Sequence, residues 1–274
     1  MTRGGLRATV AIDGDVSATL RDVAKVVGWG LLLYGAVLLI GAKLSTRSVG
    51  SLVLQLLVAE WGAGRLAVSW SDPMRPPPPW GDLARRVGGG AAAGVSAACV
   101  AVVFAVSTRA LSVHANAPEP TQLGLGLFVA ALSAARDELL LRGIPLRAFR
   151  RACPPFALLL VCGGASAAAE YGAMTAAQDA LGAHVLIAGL TGIIFAALWM
   201  RDRGGWFAVG AHMGWTFATG GLIRGGLLDL RSSSGAWGGG DAGFAGSFAV
   251  TAALVPMAAI ALGWFSRHGL PKVD

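Results

Sequence analysis

The apolar runs constrain this chain most. Eight stretches follow one another with short polar breaks, at about Val23–Gly41, Val49–Trp70, Gly89–Ser107, Thr121–Arg142, Pro155–Gly172, Leu181–Met200, Trp206–Gly226 and Gly243–Phe265. A helix advances ~1.5 Å per residue, so about 20 apolar residues carry it across the hydrocarbon of a bilayer. In lipid the backbone must satisfy its own polar groups, which leaves helices or closed barrels. Period-2 alternation is absent throughout, so the pattern predicts helices. Of 274 residues 55% are hydrophobic and 14% charged, against about 25% charged in soluble domains. The expectation is an all-α, polytopic membrane bundle of about eight transmembrane helices.

At the ends of these runs and between them, the Lys and Arg residues sort by side. Fourteen, including Arg85, Arg86, Arg147, Arg150, Arg151, Arg201 and Arg203, fall on the side of the termini, and five on the other. The positive-inside rule places both termini in the cytoplasm. Residues 1–22 read as a short cytoplasmic tail, 23–267 as a single transmembrane domain and 268–274 as a second tail. Ser71–Arg86, with Pro76–Pro79, reads as a stiff cytoplasmic connector, and Thr108–Pro120 and Leu227–Ala242 as outward loops. Trp70, Trp80, Trp199, Trp206 and Trp264 fall near inferred helix ends, where indoles anchor to the interface. The net charge of +7 is accounted for by basic cytoplasmic loops, so nucleic acid is not expected as a partner. Cys99, Cys153 and Cys162 show no paired spacing and read as small apolar residues. The 40 glycines suit helices that approach closely in lipid.

The costly feature is Ala131–Gly143, ALSAARDELLLRG, which sets Arg136, Asp137, Glu138 and Arg142 in an apolar helix. Each ionisable group at the bilayer centre costs about 2.5–3.5 kcal/mol on insertion scales, so they mark a pairing or a polar site. Glu138 and Arg142 are one turn apart and form a ready ion pair, whereas Asp137 points about 100° away. Arg136 has no assigned role. His212 and Thr216, also one turn apart, can present an imidazole and a hydroxyl together; the alternative is a helix-to-helix hydrogen bond. Glu170 lies either in the site or near water at a helix end. Glu60 and Arg65 read as structural pairing within the bundle.

Asp137-Glu138-x-x-x-Arg142-Gly143, an acid 33 residues later, and LWMRDRGGWFAVGAHMGWTF together resemble the CPBP family of intramembrane proteases. That family includes the CAAX-prenyl-protease type and the bacteriocin-immunity (abortive infection) type. Its members carry Glu-Glu-x-x-x-Arg, Phe-x-x-x-His and His-x-x-x-Asn on successive helices of an eight-helix bundle. The resemblance covers about Leu123–Ala218. Its water-activating acid falls on Asp137, its second acid and arginine on Glu138 and Arg142. The Phe and His of the second motif fall on Ser166 and Glu170, and the His and Asn of the third on His212 and Thr216. Glu138, Arg142 and His212 keep the family's residue type.

The resemblance implies hydrolysis of a peptide bond in a membrane-anchored or lipidated protein within the lipid bilayer. Asp137 or Glu138 would be the base for water, His212 and Thr216 would stabilise the oxyanion, Arg142 would hold the acids, and Glu170 would replace an imidazole. A bacterial inner membrane is the expected location. The alternative is a catalytically inactive member acting as a membrane binding or immunity protein. No cofactor is expected; a divalent metal held by Asp137, Glu138, Glu170 and His212 is a lesser reading, since Arg142 competes with a cation. No oligomeric state is implied.

Depth completes the expectations. Counting ~1.5 Å per residue, Asp137 lies about 15 Å from the cytoplasmic end near Arg147, His212 about 9 Å from Trp206, and Glu170 about 22 Å from Pro155. A site open to the cytoplasmic half would leave His184, toward the outer face, outside it.

Overall fold

The computed structural model describes residues 16–44, 48–71, 78–115, 120–173, 181–223, 228–233 and 235–268. The expected tails fall largely outside them, as do 72–77 of the proline connector. Among the described residues the helices are α1 (Val16–Leu44), α2 (Val49–Arg65), α3 (Trp80–Ser107), α4 (Pro120–Glu138), α5 (Ile144–Phe149), α6 (Pro155–Ala173), α7 (Leu181–Asp202), α8 (Trp206–Thr216) and α9 (Phe248–His268). α4 and α5 are joined by a π-helical turn, Leu139–Gly143, with helical backbone on both sides, so the rods number eight. Five helices, α1, α3, α6, α7 and α9, are long and apolar enough to cross a membrane. The chain is an integral membrane bundle, nearly all-α.

The departures from the expected spans have local causes. Pro145 has no N–H to donate back to Leu141. The ladder widens just before it, and Ile144 donates to the carbonyl of Leu139 instead. A second π segment, Phe217–Ile223, continues α8. α2 stops at Arg65, because Leu66–Ser71 turn back toward the α7–α8 junction: Gly205 N–H donates to Trp70 O at 2.8 Å.

The outward loops are not all coil, which corrects the expectation that alternation is absent. Leu111–Ala115 (β1) and Leu228–Ser232 (β2) pair antiparallel, Leu111 opposite Ser232. LSVHA and LDLRS do alternate, over too few residues to stand out among long helical runs.

Packing fixes α8, which carries His212. Gly90 and Gly94 of α3 meet Gly210 and Gly214 of α8 four residues apart on each side. A Cβ on Gly94 would stand 1.9 Å from Ala211 O, and one on Gly210 2.2 Å from Val87 O. The backbones touch, as small-xxx-small seams allow in lipid. A similar seam joins α6 to α7, where a Cβ on Gly192 would meet Ser166 Oγ at 2.5 Å and one on Gly163 would meet Gly189 O at 2.9 Å.

Three of the five tryptophans pack on one another. Trp70 stacks on Trp199 and Trp206, ring centroids 5.7 and 5.2 Å away, and Trp199 is buried. They stack because the turn after α2 folds under the α7–α8 junction, an arrangement that hydropathy does not encode. Trp80 and Trp264 are exposed, as anchors would be. Glu60 and Arg65 do not pair with each other: Glu60 accepts from Trp70 Nε1 at 3.0 Å, and Arg65 lies over Trp61. Five residues apart on α2, they point to different faces. The cysteines are free.

Candidate active site

A cavity of about 530 Å³ lies within the bundle, lined by α1, α2, α4, α6, α7, α8 and the segment before α9. Its inner end is built where α4 passes into the π turn. Glu138 and Arg142 are buried there, their side chains 0% and 3% exposed. Arg142 Nη1 lies 3.5 Å from Glu138 Oε1, and His212 Nδ1 lies 2.9 Å from the same oxygen. The carboxylate is thus shared by a cation from its own helix and an imidazole from α8. Its other oxygen, Oε2, has no hydrogen-bond partner among the described residues. Phe195 of α7 completes the group, its ring 4.8 Å from that of His212 and 5.6 Å from the Arg142 guanidinium. Hydropathy places Phe195 in a spanning run and offers no sign of this contact.

Asp137 takes the direction predicted for it. It lines the cavity while Glu138 does not, the outcome of one residue step around a helix. Its Oδ1 is 2.7 Å from Arg136 Nε, and Arg136 Nη1 donates to Gln55 Oε1 on α2. Gln55, itself buried, donates to Ser51 Oγ at 3.0 Å. The unassigned Arg136 therefore has a place: it fixes Asp137 and ties α4 to α2. Polar residues at Ser51 and Gln55, one turn apart in an apolar helix, were a signal that could have been read.

Thr216 lines the cavity one turn beyond His212, and Ser166 and Glu170 line it from α6. Tyr34 of α1 donates to Ala169 O at 3.2 Å. The sequence-predicted Asp137, Arg142, Glu170, His212 and Thr216 share this one cavity, with Glu138 just behind its wall.

His184, expected to lie outside the site, also lines it, its Nδ1 3.4 Å from Glu170 Oε1. His184 stands near the start of α7, and the cavity reaches it. The cavity extends from Arg142 and His212 toward Gly41, Leu52, Ala173, His184, Thr219 and Phe244. These mark the end of the bundle where α1 gives way to α2 and α6 to α7, opposite the termini. At the other end the packing around the glycines is close: a Cβ on Gly143 would stand 2.7 Å from Val68, and one on Gly205 2.6 Å from Trp70 and 2.8 Å from Trp199. Both acids can thus share a cavity despite their different depths, because the cavity is long.

No three of the His, Cys, Asp and Glu side chains among the described residues stand together as metal ligands, and arginines occupy the two deep carboxylates.

Residues 119–218 match the family model for type II CAAX prenyl endopeptidase Rce1-like proteins. That span contains α4, the π turn, α6, α7 and α8, the elements that supply most of the cavity's polar groups. No curated protein matches the chain.

Proposed function

The match supports membership of the CPBP/CAAX protease family, and from that premise we propose that the cavity hydrolyses a peptide bond in a membrane-anchored or lipidated polypeptide. The supporting observation is that an acid, an acid-held imidazole and a hydroxyl face one cavity deep in a membrane bundle. Asp137 is the base. Arg136 holds its Oδ1, which leaves Oδ2 to take a proton from water as the oxygen bonds to the scissile carbonyl carbon. The developing charge passes to the carbonyl oxygen, where donors aimed from the wall stabilise it. His212 and Thr216 are those donors. Glu138 engages Nδ1 of His212, so the ring offers Nε2 to the cavity, and Arg142 balances the buried carboxylate. The bilayer is a bacterial inner membrane, and the termini are cytoplasmic.

The test compares the new N- and C-termini of membrane polypeptides in cells with the parent chain, with Asp137→Asn and with His212→Ala. Loss of a positioned acid–base group costs about 10²–10⁴-fold in rate, so products of the parent vanish in both variants while the protein still inserts. Identical processed peptides in all three would instead indicate a non-enzymatic role in binding a membrane partner.

A further inference from the structure

Peptide hydrolysis needs two proton movements: water must lose a proton, and the departing amine must gain one. Asp137 accounts for the first. At the inner end Glu138 engages Nδ1 of His212, and in the reading above Nε2 of that ring is occupied with the carbonyl oxygen, so the departing amine needs another donor. The other ionisable pair in the cavity stands on the α6–α7 wall, where His184 Nδ1 lies 3.4 Å from Glu170 Oε1.

Helix packing does not require this pair. α6 and α7 are already joined by the seam of Gly163, Ser166, Gly189 and Gly192, with a Cβ at Gly189 only 3.6 Å from that of Ala167. Glu170 lies beyond that seam and is partly open, its side chain 39% exposed, while His184 is 16% exposed. Both side chains line the cavity. The pairing resembles the one at the inner end but is looser: a carboxylate on α6 stands 3.4 Å from Nδ1 of an imidazole on α7, against the 2.9 Å hydrogen bond between Glu138 and His212, and Nε2 is left for the cavity. Acid-held imidazoles are the usual means of keeping a histidine in the orientation that proton transfer requires.

Resting on the protease reading above, we infer that Glu170 and His184 form the proton-delivering unit of this site. Water attacks the carbonyl carbon and passes its proton to Asp137. As the carbon–nitrogen bond breaks, its electron pair stays on nitrogen, which takes the proton from His184 Nε2. The products are a carboxylic acid and an amine, and the proton on Asp137 returns to His184 through water. His184 is the residue that meets the leaving group; Glu170 positions it.

Two experiments test this. In the first, cleavage of a membrane-tethered reporter is timed for the parent, His184→Ala, Glu170→Gln and the exchanged double variant Glu170→His/His184→Glu. His184→Ala lowers kcat on the order of 10²-fold or more with little change in KM, and free imidazole restores some of it. Glu170→Gln loses less, adds little to His184→Ala, and the exchanged variant recovers activity over either single exchange. A His184→Ala enzyme within threefold of the parent, where His212→Ala is inactive, overturns the inference and leaves the protease reading standing. The second needs no turnover. In ¹⁵N-histidine-labelled protein, Glu170→Gln shifts the ring resonances of His184 and leaves those of His114 unmoved. An unmoved His184 signal overturns the pairing even if no reporter is ever cut.

Discussion

Arg142 is the residue whose loss the bundle tolerates least. It is the cation facing a fully buried Glu138, and removing one partner of a buried pair leaves an uncompensated charge at a cost of about 3–5 kcal/mol. Arg142→Ala should therefore unfold at markedly lower temperature in detergent, whereas Glu138→Gln/Arg142→Met, which removes both charges together, should recover most of that loss. Recovery of folding without recovery of cleavage would separate the pair's two duties. Phe195 is a milder case. Phe195→Leu keeps an apolar side chain of similar size but removes the face on which His212 and Arg142 rest. Its effect belongs in kcat more than in stability, and equal kcat for the two proteins would show that the ring serves packing alone.

At the scale of elements, the position of His212 is set by how closely α3 and α8 approach. Gly94→Val or Gly210→Val must push apart a pair of backbones in contact. Both variants should lose thermal stability and cleavage together, while Gly88→Ala, with open space around the added methyl, should match the parent in both. A valine at Gly94 or Gly210 that leaves the melting temperature unchanged would contradict the seam. The same scale shows what was legible beforehand. The eight runs located the rods, since each must keep an apolar surface toward hydrocarbon. The spacing of Glu138 and Arg142, and of His212 and Thr216, gave their faces, since helical period is local. The π turn before Pro145, the short strands and the internal tryptophan stack were hidden, since each depends on what another segment brings to it. His184 was misjudged for a related reason: its depth followed from counting residues, but the length of the cavity follows from how six helices lean together.

For the whole molecule, the direction of that cavity decides where a substrate comes from. The proposed orientation sets the termini in the cytoplasm, on the positive-inside rule and fourteen basic residues against five. The lining runs from the buried Arg142 toward Gly41, Ala173 and His184, away from the termini, and Trp70, Trp199 and Trp206 fill the terminal side. On the proposed function and orientation, a peptide reaching Asp137 through water would enter from outside the cytoplasm. With Cys99, Cys153 and Cys162 replaced by alanine, single cysteines at Ala173, Ala188 and Arg85 read this directly. A membrane-impermeant thiol reagent added to intact cells should label Ala173→Cys and Ala188→Cys, and should reach Arg85→Cys only in inverted vesicles. The reversed pattern would turn the whole bundle over and deliver substrate from the cytoplasm. Labelling of Ala188→Cys and Arg85→Cys from one and the same side would mean that the cavity opens past the tryptophans, and the closed floor would be the error.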